Sequence, residues 1–124
     1  MIRGFDFETA PLTEREMEWL PHIIRRLETA RGAKSAVTSE ELCRLVHGIN
    51  GARVRKLINH IRQNDLIACL IATSKGYYIA ENKDEIDGYI ESLIGREEAI
   101  KTVREAIERQ KEQRFKPVQG ALWP

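Results

Sequence analysis

Apolar side chains at Met17, Leu20, Ile24 and Leu27 recur at three- and four-residue steps, the spacing of one buried helical stripe. Thr13-Glu14-Arg15-Glu16 precedes them as a capping box, with Thr13 covering an orphan amide and Glu16 reaching back. Pro21 removes one backbone hydrogen bond and should bend the helix. The stripe keeps its phase across the proline, so the pattern predicts a single kinked helix closed by Gly32. Val37 then reads as a strand of one or two residues. Thr38-Ser39-Glu40-Glu41 is a second capping box, opening a helix with Leu42, Leu45 and Val46 inward and Gly48 at its end. Asn50 is a good N-cap for a third helix, Gly51 to Gln63, with Val54, Leu57, Ile58 and Ile61 as its apolar stripe. Two short helices joined by a three-residue turn containing glycine form a helix-turn-helix.

The pattern changes at Leu66, where Leu66 to Thr73 is aliphatic enough for a strand. Ser74-Lys75-Gly76 is a tight turn in which Gly76 supplies a positive φ, and Tyr77-Tyr78-Ile79-Ala80 returns antiparallel. Tyr77 and Tyr78 must point to opposite faces, so one is expected on the core and the other against the wing or reaching a sugar-phosphate, with core or rim packing favoured. Asn82-Lys83-Asp84-Glu85 caps a last helix whose apolar positions Ile86, Ile90, Leu93, Ile100, Val103 and Ile107 run to about Gln113.

The fold class is therefore mainly α (α+β). Residues 1–12 form an arm, 13–81 a winged helix-turn-helix domain, 82–113 a long helix and 114–124 a tail. This order resembles the small winged-helix proteins of bacteriophages and prophages. The resemblance runs from Val37-Thr38-Ser39-Glu40-Glu41-Leu42-Cys43 through Gly51-Ala52-Arg53-Val54-Arg55-Lys56-Leu57-Ile58 to Ser74-Lys75-Gly76-Tyr77-Tyr78-Ile79-Ala80. It implies a DNA-binding fold of phage type, serving regulation or replication.

Bulk charge says little about a nucleic-acid partner, because 20 Lys and Arg stand against 19 Asp and Glu for a net +1. The distribution says more. Residues 34–80 hold seven basic and three acidic side chains, whereas 81–113 hold six basic and ten acidic. Nothing acidic lies between Glu41 and Asp65. An ordinary solvated face mixes signs, so an acid-free basic helix is a nucleic-acid signature.

At 100° per residue the side of the third helix opposite its apolar stripe carries Ala52, Lys56, Asn59 and Gln63. Arg55 and His60 flank it, and Arg53 and Arg62 lie nearer the edges. Asn and Gln amides pair bidentately with adenine, while Lys and Arg read guanine or hold phosphate. Asn59 and Gln63 are thus candidate base readers, Lys56 and Arg55 are shared between base and phosphate, and Arg53 and Arg62 suit phosphates. His60 has equal claim to a purely structural place. Ser39 could offer a hydroxyl or amide to a phosphate, and Lys75 sits at the tip of the expected wing, residues 73–78. The partner expected is double-stranded DNA, with helix 51–63 in the major groove.

A continuous last helix would extend about 46 Å. Ile86, Leu93, Ile100 and Ile107 recur every seven residues beside Val103, a partial heptad seam. Arg96 and Gln110 occupy the other seam position, and Gly95 is a weak point. A homodimer through this helix is the favoured expectation over packing on the chain's own first helix. The tail ends Leu122-Trp123-Pro124 and could dock on its own domain or on a protein partner. The competing function is a protein-interaction module that assembles a replication or transcription complex without strong DNA affinity.

Other classes are disfavoured. No apolar run approaches a bilayer span and the N-terminus lacks a signal-peptide core, which leads to the expectation of a cytoplasmic protein without membrane contact. Cys43 and Cys69 read as buried, reduced thiols. Cys43 and His47 share a helix spacing, but two ligands do not make a metal site. Gly48-Ile49-Asn50-Gly51 lacks the Lys-Ser/Thr of a phosphate loop, and no Ser-His-acid or Cys-His set is legible, so neither an enzyme nor a cofactor is expected.

Overall fold

A computed structural model describes residues 8–116. In chain order it contains helix α1 (Glu14–Leu27), a short 3₁₀ turn (Ala33–Ser35), α2 (Ser39–Leu45), α3 (Gly51–Gln63), strands β1 (Leu70–Thr73) and β2 (Gly76–Ile79), and α4 (Lys83–Arg114). The protein is mainly helical with one two-stranded antiparallel sheet. It divides into two compact units, Met1–Ile86 and Asp87–Pro124.

In the first unit, α1 opens on the expected capping box. Thr13 Oγ1 accepts from the Glu16 amide at 3.2 Å, and Glu16 Oε1 accepts from the Thr13 amide at 2.8 Å. The helix runs unbroken through Pro21 but ends at Leu27, before Gly32. Its continuation is taken by the sheet, since Ile79 N–H donates to Ala30 O at 2.7 Å and Gly32 N–H to Ile79 O at 2.8 Å. Backbone paired with a strand cannot also close helical turns. The buried side of α1 is Glu16, Trp19, Leu20, Ile23 and Leu27; of the expected stripe Leu20 and Leu27 are buried, Ile24 is partly buried against the core and Met17 is exposed.

Helix α2 is capped by Thr38, whose hydroxyl accepts from the Glu41 amide. It stops at Leu45, so the turn to α3 spans Val46 to Asn50 rather than three residues. Leu42 is fully buried while Leu45 faces solvent. Helix α3 has the expected bounds and the expected cap, with Asn50 Oδ1 accepting from the Arg53 amide at 2.9 Å. Val54, Leu57, Ile58 and Ile61 are buried as expected.

Strand β1 begins at Leu70, four residues later than the aliphatic run suggests. Asp65 and Cys69 have φ of 57° and 60°, left-handed turns that exclude an extended strand through 66–69. Cys69 is exposed, against the buried thiol expected from the sequence, whereas Cys43 is half-buried against the core. A two-residue loop, Ser74-Lys75, joins Thr73 to its partner Gly76. Val37 pairs with Tyr77 through hydrogen bonds of 2.9 Å in both directions, a single isolated bridge where the sequence suggests a strand of one or two residues. Gly76 (φ +129°) is required here, because a Cβ would lie 2.6 Å from Val37 O. Tyr77 and Tyr78 both pack against the core.

The first turn of α4 closes this unit, where Asn82 Oδ1 accepts from the Glu85 amide at 2.9 Å. The described part of the second unit is the remainder of α4 with Phe115 and Lys116, and α4 has no buried residue. No helix among the described residues is long and apolar enough to cross a membrane.

Candidate nucleic-acid interface

Helix α3 sits with Val54, Leu57, Ile58 and Ile61 in the core, which leaves Arg55 and Gln63 exposed and Ala52, Asn59 and Arg62 half-exposed on the same side. These five residues fall within about 100° of arc at 100° per residue. Tyr77 on β2 borders the group. Burial pushes its hydroxyl above the usual phenol range, Arg55 and Arg62 pull it back, and Glu8 adds to the rise.

Lys56 does not belong to this face, which corrects its assignment as a base or phosphate reader. Only 3% of it is exposed, and Nζ donates to Glu16 Oε1 at 2.7 Å. The stripe centred on Ile61 is wider on the α1 side than periodicity indicates, because α1 packs there and covers the helix as far as Lys56. Glu16 is fully buried, and its second oxygen, Oε2, lies 3.7 Å from Arg53 Nε without a hydrogen bond. Burial alone would raise the Glu16 pKa. The Lys56 hydrogen bond, the Thr13 amide and the charge of Lys56 outweigh it, so the carboxyl lies below its ordinary value.

Arg53 is drawn to the same side. Its guanidinium lies 5.3 Å from the Trp19 ring, and Arg15 stands 5.3 Å from that ring as well. The phosphate ligand expected at position 53 is thus a half-exposed cation held against α1, with Arg15 as a second cation over the same ring. Arg15 lies four residues before Trp19 on α1, a contact that helical spacing supplies, whereas only packing brings Arg53 of α3 to the same ring.

The arm supplies a residue that periodicity could not indicate. Glu8 Oε1 accepts from Arg55 Nε at 3.0 Å, and Oε2 accepts from Asn59 Nδ2 at 3.2 Å. One carboxylate therefore engages a candidate phosphate ligand and a candidate adenine reader at once. The geometry is that of an anion held by a cation and an amide, the pair of donors that a nucleic acid would use.

The remaining candidates are dispersed. Ser39 is half-buried at the start of α2, beside Glu40, Cys43, Arg44 and Gly51 along a shallow groove. His60 is half-exposed, with its carbonyl accepting from Asn64 Nδ2 at 2.8 Å. Lys75 is exposed at the hairpin tip, its amide donating to Thr73 Oγ1 at 3.2 Å. The tail from 117 onward lies outside the described residues. Among the described residues no group of three or more His, Cys, Asp or Glu is placed to hold a metal ion. Comparison with protein families, curated proteins and solved structures gives no match to this chain.

Proposed function

We propose that the protein binds double-stranded DNA as a winged helix-turn-helix, with α3 in the major groove and the hairpin, residues 73–78, on the backbone or minor groove. The observation that carries this reading is the shared outward side of α3. Arg55, Asn59, Arg62 and Gln63 lie there, on a segment with no acidic residue between Glu41 and Asp65. Asn59 and Gln63 have the amide chemistry that reads adenine, and Arg55 and Arg62 the charge that holds phosphate or reads guanine. The antiparallel hairpin with an exposed Lys75, and the pairing of Val37 with Tyr77, support the winged form. The resemblance of Ser74-Lys75-Gly76-Tyr77-Tyr78-Ile79-Ala80 to phage winged-helix proteins favours a phage regulator or replication factor.

Anisotropy titrations of a random-sequence duplex pool over a salt series test the proposal. Binding should be measurable at about 50 mM salt and weaken linearly in log–log form. Arg55→Ala and Arg62→Ala should each reduce the slope by about one. Absence of binding at low salt would refute the reading.

A protein-interaction role has its own support in α4, where Ile100, Val103 and Ile107 are 70%, 61% and 56% exposed. Apolar side chains so displayed favour a partner, and we infer that a second copy of the chain is that partner.

A further inference from the structure

The exposed side of α4 carries more than a seam. With Ile86, Leu93, Ile100 and Ile107 at one heptad position, the other position holds Tyr89, Arg96, Val103 and Gln110. Leu93, Ile100, Val103 and Ile107 are all exposed. Charge along the helix is polarised. Residues 89–98 carry one basic and three acidic side chains, and residues 99–114 carry five basic and three acidic.

A parallel pair would set acidic half against acidic half and place Arg96 in the same layer as the partner's Arg96. Reversing one helix removes both conflicts, because the acidic half of each then faces the basic half of the other. We propose that α4 pairs with α4 of a second copy in antiparallel orientation, with Ile100 layered against the partner's Val103. This rests on the inferred homodimer and adds its direction and register.

In that register, Leu93 meets the partner's Gln110 and Arg96 meets the partner's Ile107, so no like charges share a layer. Glu97 flanks the partner's Arg104 on one side of the seam, twice by symmetry. On the other side Ala99 lies against the partner's Ala106, where two small side chains permit close approach. Arg104 already pairs with Glu108 of its own helix, which holds its guanidinium at the surface beside the seam. The overlap spans 89–114, about 39 Å of helix. Opposed helix dipoles add a small favourable term.

The experiment uses the full chain with Cys43→Ser and Cys69→Ser, carrying either Leu93→Cys or Gln110→Cys. Sedimentation velocity across the micromolar range should give twice the chain mass, and Val103→Asp should return it to the monomer with the thermal transition of the first unit retained. Under mild oxidation a mixture of the two cysteine variants should crosslink between unlike chains. Leu93→Cys alone should stay uncrosslinked, since its copies would lie about 25 Å apart, well beyond the roughly 7 Å a disulfide tolerates. Self-crosslinking of Leu93→Cys, or a dimer without the mixed crosslink, would overturn the antiparallel register and leave the dimer standing. A monomer at every concentration would overturn both.

Discussion

Replacing Lys56 with Ala should destabilise the first unit, although the sequence places this residue on a solvent-facing helix side. Lys56 is 3% exposed, and its ammonium is bonded at 2.7 Å to a carboxylate that is fully buried. Removing one member of such a pair leaves an uncompensated buried charge, at a cost of about 3–5 kcal/mol. The Thr13 amide still donates to Glu16 Oε1, and Arg53 stays 3.7 Å from Oε2, so the lower end, about 3 kcal/mol, applies. For a unit of this size that corresponds to a melting point lowered by about 12–24 °C. Thermal circular dichroism and urea titration measure it. The double replacement Glu16→Leu with Lys56→Met should recover most of the loss, because two apolar side chains of similar volume need no partner. A shift below about 4 °C for Lys56→Ala would refute the reasoning, since it would mean the pair is solvated. The double variant also separates stability from recognition. If it folds and still binds DNA with unchanged specificity, Lys56 is no base reader; if it folds and loses specificity, Lys56 takes part in recognition despite its burial. The sign of the pH dependence is set by Glu16, whose folded pKa is depressed. The pair's contribution is full above the unfolded carboxyl pKa, about 4.3, and is lost as pH falls through the lower folded value.

Two further outcomes are expected. Glu8→Gln removes the charge that engages Arg55 and Asn59, so DNA affinity should rise about two- to fivefold, the range of a partly exposed ion pair of roughly 0.5–1 kcal/mol. Anisotropy at fixed salt measures this, and an unchanged affinity would show that the arm does not compete. Gly76→Ala forces a Cβ to within 2.6 Å of Val37 O at a φ of +129°, and should cost at least about 1–3 kcal/mol in urea unfolding. A neutral result would exclude the close approach of Val37 to the hairpin.

Much of the architecture was legible because it depends on local chemistry. Thr13, Thr38, Asn50 and Asn82 cap helices where their side chains satisfy amides within three residues, and no distant contact is needed. The hairpin follows from a tight turn that only glycine at 76 permits. The errors lie where another element competes. Residues 30–32 read as the end of a helix, but β2 claims their backbone. Leu66 to Cys69 read as strand, yet left-handed residues at 65 and 69 turn the chain first.

The candidate site divides in the same way. Residue types and the absence of acids between Glu41 and Asp65 were available from the chain alone, and they singled out α3. Periodicity assigns an outward side by angle, but the width of the buried side depends on which neighbour packs there. Helix α1 covers α3 as far as Lys56, and a capping glutamate is close enough to neutralise it. Glu8 lies 47 residues from Arg55 along the chain, so no local pattern could connect them. Sequence thus determined the caps, the core stripe of α3 and the chemistry of its outward side, all set by interactions within a turn or two. Tertiary structure decided which cations remain free to meet a partner, because burial and ion pairing depend on residues that only folding brings together.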